Sequence, residues 1–141
     1  MNKDLTLVFS SYQSQLLLKK ILDQFHKKYK IIIIENSLDQ IVKEKFEKKF
    51  KNVEVIIPNK NLGLAKSYNL GIKKSKTKFV FLNNPDMSIT NQSIKELLFC
   101  AKKNIPCMVS CVMASKTKSH TLQSQKINQN YVFSHKKNNK N

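Results

Sequence analysis

The sequence predicts an α/β fold, a mostly parallel sheet with flanking helices, and three observations carry that prediction. Short β-type runs alternate four times with stretches whose apolar residues recur at helical spacing. One run, Tyr29–Ile34, is continuously apolar and β-branched apart from Lys30, as expected of a strand buried on both faces of a parallel sheet. The chain has 141 residues, enough for one compact layered domain around a single core.

The elements follow in order. Leu5–Phe9 is rich in strand formers and closed by Ser10-Ser11. From Leu16 to Phe25, apolar residues at 16, 17, 18, 21, 22 and 25 form a helical face. The second strand is Tyr29–Ile34. Leu38, Ile41, Val42, Phe46 and Phe50 then recur at helical spacing between lysines and glutamates. Val53–Ile57 is the third strand, closed by Pro58. Leu62–Ile72 reads as a helix, with Asn61 as its expected N-cap. Lys78–Leu82 is the fourth strand, closed by Asn83-Asn84-Pro85. A fourth helix runs from Ile89 to Ala101, capped by Thr90 or Asn91, and Cys107–Met113 reads as a fifth strand after Pro106. From Ala114 the pattern stops. The expected organisation is therefore a domain over 1–113 and a polar Lys/Asn/Ser-rich tail over 114–141, too poor in apolar surface to order fully.

Net charge is +17, and every basic residue is lysine. The absence of arginine argues against nucleic-acid recognition, which favours bidentate guanidinium contacts. The lysines read first as a solvated surface, and second as attraction to an anionic membrane or a phosphate-bearing ligand. Every acidic residue lies at or before Glu96. Cys100, Cys107 and Cys111 match no zinc or redox spacing and read as free thiols in a reducing compartment. No leader and no membrane-length apolar run is visible, so the expected location is cytoplasmic, with peripheral contact at the inner membrane face allowed by the charge.

Right-handed crossovers place the carboxyl ends of parallel strands along one edge, where ligands bind. The segments to inspect are Ser10-Ser11-Tyr12, Glu35 to Asp39, Pro58 to Gly63, and Asn83 to Asp86. Glu35 and Asp39 could accept hydrogen bonds from ribose hydroxyls or a base N–H, and Asp39 could equally favour a helix start. The chain has two glycines, Gly63 and Gly71, where average usage would give roughly ten. Gly63 falls in the first turn of a helix, where free N–H groups and the dipole suit a diphosphate. Gly71 reads as close packing of helix on sheet. Asn69 is balanced between packing and ligand. Asp86, behind a strand-ending Pro85, suits a hard divalent cation whose shell phosphate oxygens complete, or else is a turn aspartate.

These residues resemble the amino-terminal half of family 2 glycosyltransferases, from about Leu5 to about Lys103. The resemblance rests on four segments taken in order: Leu7-Val8-Phe9-Ser10-Ser11-Tyr12, Ile33-Ile34-Glu35-Asn36-Ser37, Asn61-Leu62-Gly63-Leu64-Ala65 with Asn69-Leu70-Gly71, and Phe81-Leu82-Asn83-Asn84-Pro85-Asp86. The last two are most similar to the rhamnosyltransferase-like branch, with N-P-D in place of D-x-D. The resemblance implies a Rossmann-like GT-A half binding a nucleotide-diphosphate sugar, a UDP- or dTDP-sugar, with a glycan or glycolipid as acceptor. Its implied donor-binding residues are Ser10, Tyr12, Glu35, Asn36, Asp39, Asn61, Gly63, Ala65, Asn69 and Asn84. Of these, Tyr12 would line the base, Glu35 would replace the family's Asp, Gly63 and Ala65 would pass close to the donor, and Asn84 would lie near the ribose. Asp86 would hold Mn²⁺ or Mg²⁺ at the diphosphate.

Three departures accompany it. Glu35 is one methylene longer than Asp, Asn84 supplies no charge, and no carboxylate follows Glu96 to deprotonate an acceptor hydroxyl. His120 and His135 are the remaining bases in that half. The resemblance implies a sugar transferase, inverting and metal-dependent. Its alternatives are a truncated module that binds donor without transferring it and a basic nucleic-acid-associated α/β protein.

Overall fold

The computed structural model describes residues 1–104. The expected fifth strand, the tail, Cys107, Cys111, His120 and His135 lie outside the described residues. Eight elements alternate without exception: β1 (Leu5–Ser11), α1 (Gln15–Phe25), β2 (Lys30–Glu35), α2 (Gln40–Lys49), β3 (Val53–Ile56), α3 (Gly63–Lys74), β4 (Phe79–Asn83) and α4 (Asn91–Lys103). The strands pair in the order β3-β2-β1-β4, all parallel. The chain thus builds outward from β1 through β2 to β3, then returns to the other side of β1 with β4. That reversal puts a topological switch point between β1 and β4, where a crevice opens at the carboxyl edge.

β2 is the spine of the sheet. Ile31, Ile32, Ile33 and Ile34 are all fully buried, so neither face of this strand meets water. Their β-branched side chains suit an extended, doubly covered backbone. On one face, Val8, Ile32 and Ile34 pack with Tyr68 and Leu70 of α3. Gly71 allows this approach: a Cβ there would overlap Cγ1 of Val8. Gly71 is thus a helix-to-sheet packing position, as its sequence context suggested.

β1 and β2 each run further than the sequence indicated, because their ends remain in register: Ser10 lies opposite Ile34 and Ser11 opposite Glu35. α1 buries Leu18, Ile21, Leu22 and Phe25, while Leu16 is 81% exposed. β3 forms one edge. There the Lys43–Glu47 pair of α2 satisfies the strand's main chain: Val55 N–H donates to Glu47 Oε1 at 2.8 Å, and Lys43 Nζ donates to Val55 O at 2.7 Å. Burial alone would raise the Glu47 carboxyl's pKa, but the hydrogen bonds from Lys43 and Val55 and the lysine's charge outweigh it, and the net shift is downward.

Two compact units are distinguished, Met1–Ile89 and Thr90–Asn141. The first holds the four described strands and α1–α3. The described part of the second is α4, opened by Thr90, whose side chain accepts from Ser93 N–H. No described helix is long and apolar enough to cross a membrane.

Candidate functional site

A cavity of 340 Å³ opens at the carboxyl edge of the sheet. Every described strand end contributes to its wall: Ser10 near the end of β1 with Tyr12 and Ser14 beyond it, Asn36 after β2, Asn61, Gly63 and Leu64 after β3, and Asn84, Pro85 and Asp86 after β4. Ser10, Tyr12, Asn36, Asn61, Gly63, Asn84 and Asp86, expected from four separate segments, are thereby brought to one place.

Asn36 ties the floor together. It is 4% exposed, and its side-chain amide is fully engaged. Nδ2 donates to Ser10 Oγ at 3.2 Å and to Ser67 Oγ at 2.9 Å, while Oδ1 accepts Leu62 N–H at 3.0 Å. Ser67 Oγ–H in turn donates to Gly63 O at 2.6 Å. One amide thus joins the ends of β1 and β2 to the loop entering α3 and to α3 itself. A buried network with all its members satisfied fixes geometry, because each lost partner leaves a costly orphan.

The loop after β3 is built around Gly63, whose φ of +68° lies in the left-handed region. Space is open where its Cβ would be, so backbone conformation requires the glycine and leaves room for a ligand. Asn61 does not stand at the cap position of α3, which Leu62 occupies without a side-chain cap bond. The positive φ at Gly63 moves the helix start one residue on. Asn61 Oδ1 nevertheless accepts Gly63 N–H at 2.8 Å, an Asx turn that steadies the same loop.

In the segment after β4, Asp86 is exposed and carries the cavity's carboxylate. Beside it, Tyr68 Oη–H donates to Asn84 Oδ1 at 2.6 Å. Burial raises the Tyr68 phenol above its ordinary pKa, and the negative charge of Asp86 adds to the effect.

Four expected residues do not line the cavity. Glu35 is fully buried, with Ser11 Oγ–H donating to Oε2 at 2.7 Å, Ser37 N–H to Oε1 at 2.9 Å, and the Ser37 hydroxyl also to Oε1. It shares the face of Ser11, away from the Val8–Ile34 face that meets α3. Asp39 is the N-cap of α2: Oδ1 accepts from Ile41 N at 2.9 Å and Val42 N at 3.3 Å, and Oδ2 accepts from Gln15 Nε2 at 2.9 Å. Ala65 and Asn69 lie on exposed positions of α3 outside the cavity wall. Conversely, Ser67 and Tyr68 serve the site from inside α3, where their positions carry no strand-end signal. The spacing of four between Gly63, Ser67 and Gly71 was the available signal, because it marks a small-residue stripe on one helical face.

Among the described residues, no group of three or more His, Cys, Asp and Glu side chains could hold a metal alone. A single carboxylate is still compatible with a Mg²⁺-like ion whose other ligands are water and phosphate oxygens.

An all-parallel sheet with flanking helices and this strand order defines a Rossmann-like, GT-A-type α/β protein. The chain belongs to glycosyl transferase family 2, whose model matches residues 15–141. Over 90 residues it is 33% identical to a protein named "Uncharacterized glycosyltransferase" from Rickettsia bellii (strain RML369-C), covering 62% of this chain and 13% of that protein. Its fold is similar to the crystal structure of S. aureus TarS 1–349, with a TM-score of 0.55, 20% identity, and coverage of 71% of this chain and 32% of that one. The crystal structure of S. aureus TarS 1–349 in complex with UDP also gives a TM-score of 0.55, at 22% identity and the same coverage. The chain therefore spans a small part of the curated relative and about a third of the solved one.

Proposed function

We propose that this chain forms the donor-binding part of a glycosyltransferase that moves a sugar from a UDP- or dTDP-sugar to a cell-envelope glycan or glycolipid. The observation that carries this reading is the cavity at the β1–β4 switch point, walled by all four strand ends. Tyr12, 56% exposed on the rim, offers a stacking face for the base. The loop at Gly63 offers backbone approach to the diphosphate at the start of α3. Asp86 would hold Mn²⁺ or Mg²⁺, which supplies charge neutralisation to the departing nucleoside diphosphate. Glu35 and Asp39 act from behind the wall, by setting the turns after β2, rather than by touching the donor. The Asn84-Pro85-Asp86 segment fits the N-P-D pattern of the rhamnosyltransferase-like branch, and the reaction would proceed with inversion.

A second reading is favoured by one observation: residues 97–141 carry no side-chain carboxylate. The base that deprotonates the acceptor would then come from outside this sequence, and this chain alone would bind donor without turning it over. Detectable sugar transfer by the purified chain would exclude that reading.

Calorimetry with UDP and dTDP, with and without Mn²⁺, tests the primary proposal. Wild type should bind at least one nucleotide more tightly with Mn²⁺, and Asp86→Ala should lose the metal-dependent gain. Absence of binding by wild type, or an undiminished metal effect in Asp86→Ala, would refute it.

A further inference from the structure

We propose that Tyr68 is a positioning residue that fixes the side-chain amide of Asn84, so that Asn84 meets the ligand as a hydrogen-bond donor and not as a cation ligand. The inference rests on the nucleotide-binding reading above and deepens it. The Tyr68–Asn84 contact is 2.6 Å long, within the range of O–H···O bonds and shorter than N–H···O bonds normally reach. The atom facing the phenol is therefore the amide oxygen. A tyrosine phenol keeps its proton throughout the physiological range, so Tyr68 can donate it. Its ring is packed against Val8, Ile32 and Ile34, so the hydroxyl is held in place from the core side.

With the Tyr68 hydroxyl on one lone pair of Oδ1, the Nδ2 hydrogens are the donors that Asn84 brings to a ligand in the cavity. An N–H₂ group seeks an acceptor, such as a ribose hydroxyl or a phosphate oxygen of a nucleoside diphosphate. It repels a metal ion. Asn84 and Asp86 thus divide the wall: one donates to the nucleotide, and the other carries the negative charge available to a cation. An aspartate at position 84 would offer a second charged oxygen and remove that division.

The experiment is a double-mutant cycle on UDP affinity, measured by calorimetry in EDTA, with Tyr68→Phe, Asn84→Ala and the double variant. Urea unfolding of each variant separates binding loss from loss of fold, and Tyr68→Phe retains the packed ring. Each single change should weaken UDP binding about fivefold, and the double variant should lose no more than either single change. In ¹⁵N spectra of wild type, the Asn84 side-chain amide should shift on UDP addition. Wild type binding UDP with Tyr68→Phe unchanged, or with the two losses multiplying, would overturn the role of Tyr68 and leave the nucleotide site intact. Wild type binding neither UDP nor dTDP, with or without Mn²⁺, would instead overturn the nucleotide reading, and the inference with it. If Tyr68→Phe unfolds, the spectrum decides: an Asn84 amide unmoved by bound UDP overturns the inference.

Discussion

Gly63 and Gly71 are eight residues apart and do different physical work. At Gly71 the backbone is ordinary and the obstacle is Val8, in a central strand where the core is fully packed. Gly71→Ala should therefore destabilise by about 1–3 kcal/mol in urea unfolding, the range for overpacking a tight contact. Gly63→Ala meets no neighbour but must hold a left-handed φ, which should cost about 1–2 kcal/mol and loosen the loop that edges the cavity. Combining Gly71→Ala with Val8→Ala should recover part of the first loss, whereas combining it with Gly63→Ala should not. Asn36 is the other residue on which the cavity depends. Asn36→Ala removes the acceptor of Leu62 N–H and the donors to Ser10 and Ser67, so a loss of about 1–3 kcal/mol is expected, together with weakened nucleotide affinity.

At the scale of the elements, the Lys43–Glu47 pair shows how an exposed edge is managed. An edge strand presents unpaired main-chain groups that invite pairing with another chain. Here α2 covers those of Val55 with one cation and one carboxylate. The folded-state pKa of Glu47 is depressed, so its stabilisation is fully present above the ordinary value of 4.5 and is lost as pH falls through the folded value. Glu47→Gln should flatten that part of the pH–stability profile measured by urea unfolding below pH 4.5. A profile unchanged by the substitution would show that the pair contributes nothing. Element type was legible because β2 is apolar on both faces and the helices keep their spacing. Element ends were less so. Strands β1 and β2 continue through Ser11 and Glu35 because neighbouring strands hold them in register, and register is a tertiary property that no local pattern displays.

For the molecule as a whole, that same register decided which expected site residues reach the cavity. A strand's side chains alternate between faces, so adjacent residues at the end of β2 part company: Asn36 joins the α3 side and the cavity, while Glu35 turns to the opposite face. The sequence showed that chemistry would gather at the strand ends, and Ser10, Tyr12, Asn61, Gly63, Asn84 and Asp86 do line one cavity. It did not show which of two neighbours would point inward. It also did not show that Ser67 and Tyr68, inside a helix, would support that wall from beneath.

The central claim, that this wall binds a nucleoside diphosphate, is tested most directly by mapping UDP and Mn²⁺ onto the ¹⁵N spectrum of the full chain. Saturable shifts are expected at Ser10, Tyr12, Asn61, Gly63, Asn84 and Asp86, with α2 from Gln40 to Lys49 unmoved. Shifts scattered over the lysine-rich surface that vanish with added salt, or no shift at the four strand ends, would contradict it.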